Sequence, residues 1–267
     1  MAKAIGRLQL VGTFGALVAS LAVVGCGGSG TARPGSGGTT GSGGTSATAG
    51  TSGTTALPCT ANPTTALLSN FGSAAGDGGV TASGTWGTTG QLTGSVFGYP
   101  GKLTNDAGVM SSVKAMINRT TGMNLELSGT VVAADYAGGG MAFGTCVDSS
   151  TWTGIQFTLG GTANGCSITF QLQTESQEPT SAKGTCTASS CYSFPQVPVT
   201  IPATAGTATV IKFADLAGTG MPSAPADFEK EMFGLQWQFT SAAPPDGSVQ
   251  VGCSPDMTIT DVMWTSN

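Results

Sequence analysis

The residues best suited to chemistry in this chain are glutamines, spaced two apart in short apolar runs. In residues 153–159 the apolar set is Ile155, Phe157 and Leu159, which leaves Gln156 and Thr158 opposite, because successive strand side chains alternate faces. The same spacing turns Ile168, Phe170 and Leu172 inward with Gln171, Gln173 and Glu175 outward. It also turns Leu235, Trp237 and Phe239 inward with Gln236 and Gln238 outward. If these strands share a sheet, they offer a platform of amides that donate and accept hydrogen bonds with little charge. Sugar hydroxyls have the same dual character, so Gln156, Gln171, Gln173, Gln236 and Gln238 are candidate carbohydrate-binding residues. The plainer reading is that glutamine is a tolerated solvent-facing strand residue.

Several other chemistries are excluded. The chain has no His, which removes Ser-His-Asp and Cys-His nucleophile systems, HExxH zinc sites and imidazole proton shuttles. It also lacks a GxSxG nucleophile elbow. A glycosidase needs two carboxylates about 5 to 10 Å apart on the substrate face. Glu175 and Glu178 are the one pair placed to face a sugar, whereas Asp227, Glu229 and Glu231 surround Lys230 on a solvated segment. Catalysis is therefore not expected, and a hydrolase stays the least supported reading. Fourteen acidic residues against nine basic ones, with a pI near 4.5, argue against a nucleic-acid partner.

The cysteines and the amino terminus place the chain outside the cytoplasm. Lys3 and Arg7 precede an uncharged apolar run over residues 8–24, as in a signal peptide. The run closes in Val23-Val24-Gly25-Cys26, which resembles a bacterial lipobox, with Cys26 as the lipidated residue. An ordinary signal peptide with a chance Cys, or a membrane-spanning helix, is the competing reading. Gly27 in place of Asp leans the expected location toward the outer membrane or cell surface. Residues 26–56 are almost only Gly, Ser, Thr and Ala, have nothing to bury and read as a flexible tether. A linker of this kind reaches on the order of 30 Å. The expected organisation is a signal peptide at 1–25, an anchored tether at 26–56 and a domain at 57–267, acting as a monomer. Setting Cys26 aside leaves an even number of cysteines, consistent with disulfides in an oxidising compartment. Cys186 and Cys191 enclose only a short loop and form the safest pair. Cys146 with Cys166, joining neighbouring strands, and Cys59 with Cys253, clamping the domain ends, are expected from among fifteen connectivities. Zinc is disfavoured, since no CxxC occurs and no His completes a shell.

The elements that must position these residues are strands. Alternating or β-branched runs punctuated by Gly, Asn, Asp and Pro occur at residues 124–132, 140–147, 153–159, 167–175, 197–201, 207–213, 233–240 and 257–264. Such runs predict an all-β, two-sheet sandwich of jelly-roll type. Only residues 109–118 and 226–232 are expected to form a helical turn or two. Trp237 alternates inward, and Trp264 near the C-terminus also reads as core.

A family resemblance follows from the succession of Leu67-Leu68-Ser69-Asn70-Phe71, Thr85-Trp86-Gly87, Leu92 through Tyr99, Asp135-Tyr136 before a Gly-rich stretch, Leu235-Gln236-Trp237-Gln238 and Ile259-Thr260-Asp261-Val262. The order of these segments resembles the galactose-binding-like jelly roll, and within it the family 11 carbohydrate-binding modules. The resemblance implies a sandwich whose concave face takes a glycan through aromatic rings and polar side chains. On matched positions it adds Trp86, Tyr99 and Tyr136 as ligand contacts and assigns the outward glutamines to that face. It also implies a structural calcium, for which Asp77 and Asp261 are the candidate carboxylates. The expected function is non-catalytic polysaccharide binding by a lipid-anchored surface protein. An envelope or protein-interaction role for the same fold is the alternative.

Overall fold

Strand after strand turns its alternating apolar side chains into the interior, and the computed structural model pairs these strands into antiparallel layers. The structure describes residue 59 and residues 61–72, 81–82, 85–86, 92–105, 107–119, 122–187, 191–216, 227–241 and 251–266. The signal segment, Cys26, the tether and Asp77 lie outside the described residues. In chain order the strands are β1 (Leu67–Ser69), β2 (Thr81–Ala82), β3 (Thr85–Trp86), β4 (Gly94–Thr104), β5 (Met110–Asn118), β6 (Asn124–Thr130) and β7 (Tyr136–Val147). There follow β8 (Gly154–Thr162), β9 (Cys166–Thr174), β10 (Gln196–Val199), β11 (Ala208–Lys212), β12 (Met232–Ser241) and β13 (Asp256–Thr265). Strands β6 to β13 are the eight that the sequence pattern predicts. Among the described residues, helix is confined to one turn, Phe213–Leu216, and to 3-10 turns at Thr180–Ala182 and Phe228–Lys230. The turn expected at 226–232 is thus present in its middle.

Residues 109–118, expected to be helical, form β5 instead. The reason is periodicity: Ser111, Val113, Ala115 and Ile117 are buried while their neighbours between are more open, a spacing of two.

The path β10-β9-β12-β7-β4-β5-β6-β13-β8-β11 folds over at β4 into a two-layer jelly-roll sandwich. Residues 94–99 of β4 pair with β7 in a front layer, and its later residues Pro100 and Thr104 pair with β5 in a back layer. The crossing is pinned by a buried carboxylate. Asp135 accepts hydrogen bonds from the backbone N–H groups of Lys102 (3.1 Å) and Leu103 (2.9 Å). Burial opposes its charge, but these bonds, with others from Ser111 and the Tyr136 backbone, hold the Asp135 carboxyl below the usual range. Gly101 is required here, because a Cβ would meet the Asp135 carboxylate and the Tyr136 carbonyl.

The layers meet through aromatic rings. Phe157 of the back layer packs against Phe170 (centroids 5.0 Å apart) and Trp237 (5.2 Å) of the front layer. Ile155, Phe157, Leu159, Ile168, Phe170, Leu172, Leu235, Trp237 and Phe239 are all buried, as their alternation predicts, and Trp264 is core. Burial of each such side chain contributes about 1.5–3 kcal/mol.

Two expected disulfides are replaced by others. Cys186 does close with Cys191, but Cys59 pairs with Cys146 and Cys166 with Cys253. The topology explains the exchange. Strand β12 lies between β7 and β9 and is antiparallel to both, so Cys166 stands across from Ser241, whereas Val147, next to Cys146, stands across from Met232. Cys146 and Cys166 therefore sit at opposite ends of the front layer. The bridge of Ala61 to Val147 delivers Cys59 to Cys146, and that of Val131 to Cys253 draws Cys253 away from the amino-terminal segment.

Candidate binding groove

Register along the front layer sets out a groove on its outer face. Phe97, Gly140, Gln236 and Gln171 form one cross-strand row, and Tyr99, Gly138 and Gln238 the next. Outward positions of β7 carry Gly138 and Gly140, so its backbone is a floor without side chains. A Cβ at Gly138 would lie 2.5 Å from Tyr99 Cζ and 2.5 Å from the Trp237 carbonyl oxygen, so only glycine lets Tyr99 lie over the strand.

The resulting cavity, about 410 Å³, is lined by Phe97, Tyr99, Pro100, Tyr136, Gln171, Gln173, Tyr192, Phe194, Gln236 and Gln238. Its glutamines form a relay. Gln173 Nε2 donates to Gln236 Oε1 at 3.1 Å, Gln236 Nε2 donates to Gln171 Oε1, and Gln171 Nε2 donates to Gln196 Oε1 at 2.7 Å. Such a chain polarises its members cooperatively and fixes which amide atoms face the cavity. These glutamines were expected to stand out into solvent; instead Gln171 and Gln236 are only 5% and 6% exposed. The walls account for this, because the described residues between β9 and β10, 175–187 and 191–195, bring Tyr192 and Phe194 over the groove edge.

Aromatic rings make up those walls. Phe97 and Tyr99, two apart on β4, stack with centroids 6.4 Å apart. Burial pushes the Tyr99 hydroxyl well above the usual phenol range, with the nearby Gln238 amide acting the other way and Tyr136 adding to the rise. Tyr136 lies under the Lys102 ammonium, 5.8 Å from its ring centroid. Tyr192 is 59% exposed with a φ of 68°, and its ring stands edge-on to Phe194.

Tyr99, Tyr136, Gln171, Gln173, Gln236 and Gln238 thus come together in one cavity. Two expected contacts do not join them. Gln156 lies on β8 in the back layer, across from Val210 and Met263, because alternation assigns a face but not a layer. Trp86 is 2% exposed and packs edge-on against Phe143 at 5.8 Å, since β3 turns its ring into the end of the sandwich. Sequence reasoning missed Phe97, Tyr192 and Phe194. An aromatic pair at i, i+2 on one strand signals Phe97, and an aromatic directly after a tight disulfide loop signals Tyr192.

Of the two carboxylates expected to hold calcium, Asp77 lies outside the described residues. Asp261 is exposed at a bulge of β13 and its described partner is the Thr260 hydroxyl, 3.0 Å away, far from the six to eight oxygens calcium takes. The one cluster of three metal-ligating groups among the described residues is Cys59, Cys146 and Glu175, and its two sulfurs are joined in a disulfide.

The carboxylates gather beside the groove. Glu231 accepts hydrogen bonds from Ser176 Oγ at 2.5 Å and its backbone N–H at 3.2 Å. Burial nonetheless raises its pKa, helped by the charges of Glu175 and Asp227. Burial alone pushes Glu178 up from 4.5 to about 7. The folded state therefore holds a proton on Glu178 that the unfolded chain has already released, and stability falls as pH rises from 4.5 to about 7. Thermal melting across that window is expected to show a declining Tm for the wild type and a flatter profile for Glu178→Gln. Equal slopes would remove Glu178 as a cause.

No protein-family model matches this chain, and no curated protein does. Solved structures do. The family 11 carbohydrate-binding module of the cellulosomal cellulase Lic26A-Cel5E of Clostridium thermocellum is 12% identical with a TM-score of 0.38, over 77% of this chain and 96% of that one. A family 11 module from Clostridium thermocellum in complex with a β-1,3-1,4-mixed-linked tetrasaccharide is 13% identical with a TM-score of 0.40, over 75% and 95%. The chain resembles these modules, as the order of its sequence segments does.

Proposed function

We propose that this domain binds a neutral polysaccharide chain in the front-layer groove without cleaving it. The observation that carries the reading is the convergence of three tyrosine rings, Tyr99, Tyr136 and Tyr192, on a floor of relayed glutamine amides. Rings offer apolar faces to sugar rings, and amides match hydroxyls as both donors and acceptors. No described residue lining this cavity is charged, which suits a neutral glycan. Cleavage is not part of the reading, because no carboxylate lines this cavity among the described residues and the Glu175 carboxylate lies 3.8 Å from Cys146 Sγ, beside the disulfide. We further propose that Cys26 carries a lipid and that the Gly/Ser/Thr segment after it presents the domain at the cell surface, on the lipobox-like Val23-Val24-Gly25-Cys26.

The test is retention of the full-length protein, made in an oxidising compartment, on a panel of insoluble polysaccharides. Wild type is expected to bind at least one neutral polymer, and Tyr99→Ala with Tyr192→Ala to bind about tenfold more weakly, near 1.4 kcal/mol. A folded protein that ignores the whole panel would overturn the reading.

A further inference from the structure

Strand β7 continues past the cavity described above, and so does its bare floor. Its outward positions after Gly138 and Gly140 are Ala142 and Gly144, small residues again. From residue 136 to residue 144 this trench extends roughly 27 Å at the rise of an antiparallel strand. A second cavity of about 480 Å³ lies over its far end and shares Phe97 and Gln173 with the first. The connection from β9 to β10 walls both cavities, through Tyr192 and Phe194 at one and Glu178, Ala182 and Lys183 at the other.

Glu178 distinguishes the second cavity from a mere continuation of small residues. Its side chain lines that cavity and is 7% exposed. No hydrogen bond or ion pair holds its carboxyl among the described residues, although its backbone is tied to Thr174 and Cys186. The carboxyl oxygens are not sealed from solvent, so they open onto the cavity and can meet a hydroxyl there. Lys183 is the one cation lining the same space and is itself exposed.

We propose that the second cavity is a further subsite of the same groove, taking additional residues of the bound polysaccharide chain, with the Glu178 carboxyl hydrogen-bonded to a sugar hydroxyl. The proposal rests on the polysaccharide reading above and adds to it a requirement for chain length. The first cavity holds the chain between rings and glutamines, and the trench leads it past Tyr192 and Phe194 to Glu178. Raised as it is toward neutrality, that carboxyl serves as donor or acceptor according to pH.

The experiment is calorimetric titration of the full-length protein with cello-, laminari- and xylo-oligosaccharides, each from the disaccharide to the hexasaccharide. Affinity is expected to keep rising through the longest members of the series that binds. Glu178→Ala should weaken the longest chains roughly tenfold, the loss of about one hydrogen bond, and leave the shortest ones bound as before. Ala182→Trp, at an exposed position of the wall, obstructs the second cavity without touching the relay and should remove the same gain. Affinity that levels off at the shortest bound lengths, or a Glu178→Ala loss equal at every length, overturns the subsite alone. Absence of binding at every length, with the fold intact, overturns the polysaccharide reading and the subsite together.

Discussion

Replacing Gln236 with Leu is expected to abolish most of the groove's affinity while leaving the sandwich folded. Gln236 is the hub of the relay, accepting from Gln173 at 3.1 Å and donating to Gln171. A leucine there leaves the Gln173 amide and the Gln171 carbonyl without their partner at a nearly buried floor. Each such orphan costs about 1–3 kcal/mol. The ligand loses more than one contact, because all three amides lose the orientation that the relay imposes. Affinity for a retained polysaccharide should fall more than tenfold by affinity electrophoresis, and the melting temperature should fall by several degrees. Gln156→Leu is the matched control: its side chain lies in the back layer, across from Val210 and Met263, and binding should be unchanged. Equal losses in the two variants would show that the front-layer relay is not the binding floor.

The second large effect is on stability. Removing the Cys166–Cys253 bridge as Cys166→Ala with Cys253→Ala is expected to cost far more than removing Cys186–Cys191. The first closes a sequence separation of 87 and joins front-layer strand β9 to the approach of back-layer strand β13, whereas the second closes a separation of 5. On the chain-entropy scale these separations give roughly 4.6 and 2 kcal/mol. Urea denaturation of the two variants checks the order, and peptide mapping without reductant checks the pairing itself. A smaller loss for Cys166 and Cys253 than for Cys186 and Cys191 would contradict the expected role of the longer bridge.

How much of this was legible beforehand differs by level. Strands β6 to β13 were readable because their alternation is strong, as in Ile168, Phe170 and Leu172. Strand β5 was misread because Met110, Lys114, Ala115 and Met116 are helix formers, and tertiary burial of Val113, Ala115 and Ile117 overrides that preference. Four glutamines of the groove were readable from the faces of β9 and β12. The fifth candidate, Gln156, lies outside the groove, since pairing order decides which layer a strand joins. That same order placed β12 between β7 and β9 and so dictated the cysteine partners. Tyr192 and Phe194 come from an irregular excursion, for which no periodicity speaks.

The bridge between Cys59 and Cys146 carries a mechanical consequence. A pull applied through the chain before Cys59 does not travel residue by residue into β1, β2 and β3; it crosses a covalent bond straight into the last residues of β7, the strand that floors the groove. The 87-residue separation it closes, roughly 300 Å of extendable chain, is thereby removed from the load path. Under shear, force entering before Cys59 is delivered to the strand that floors the groove, and the loop that holds β1 to β6 is spared from unravelling.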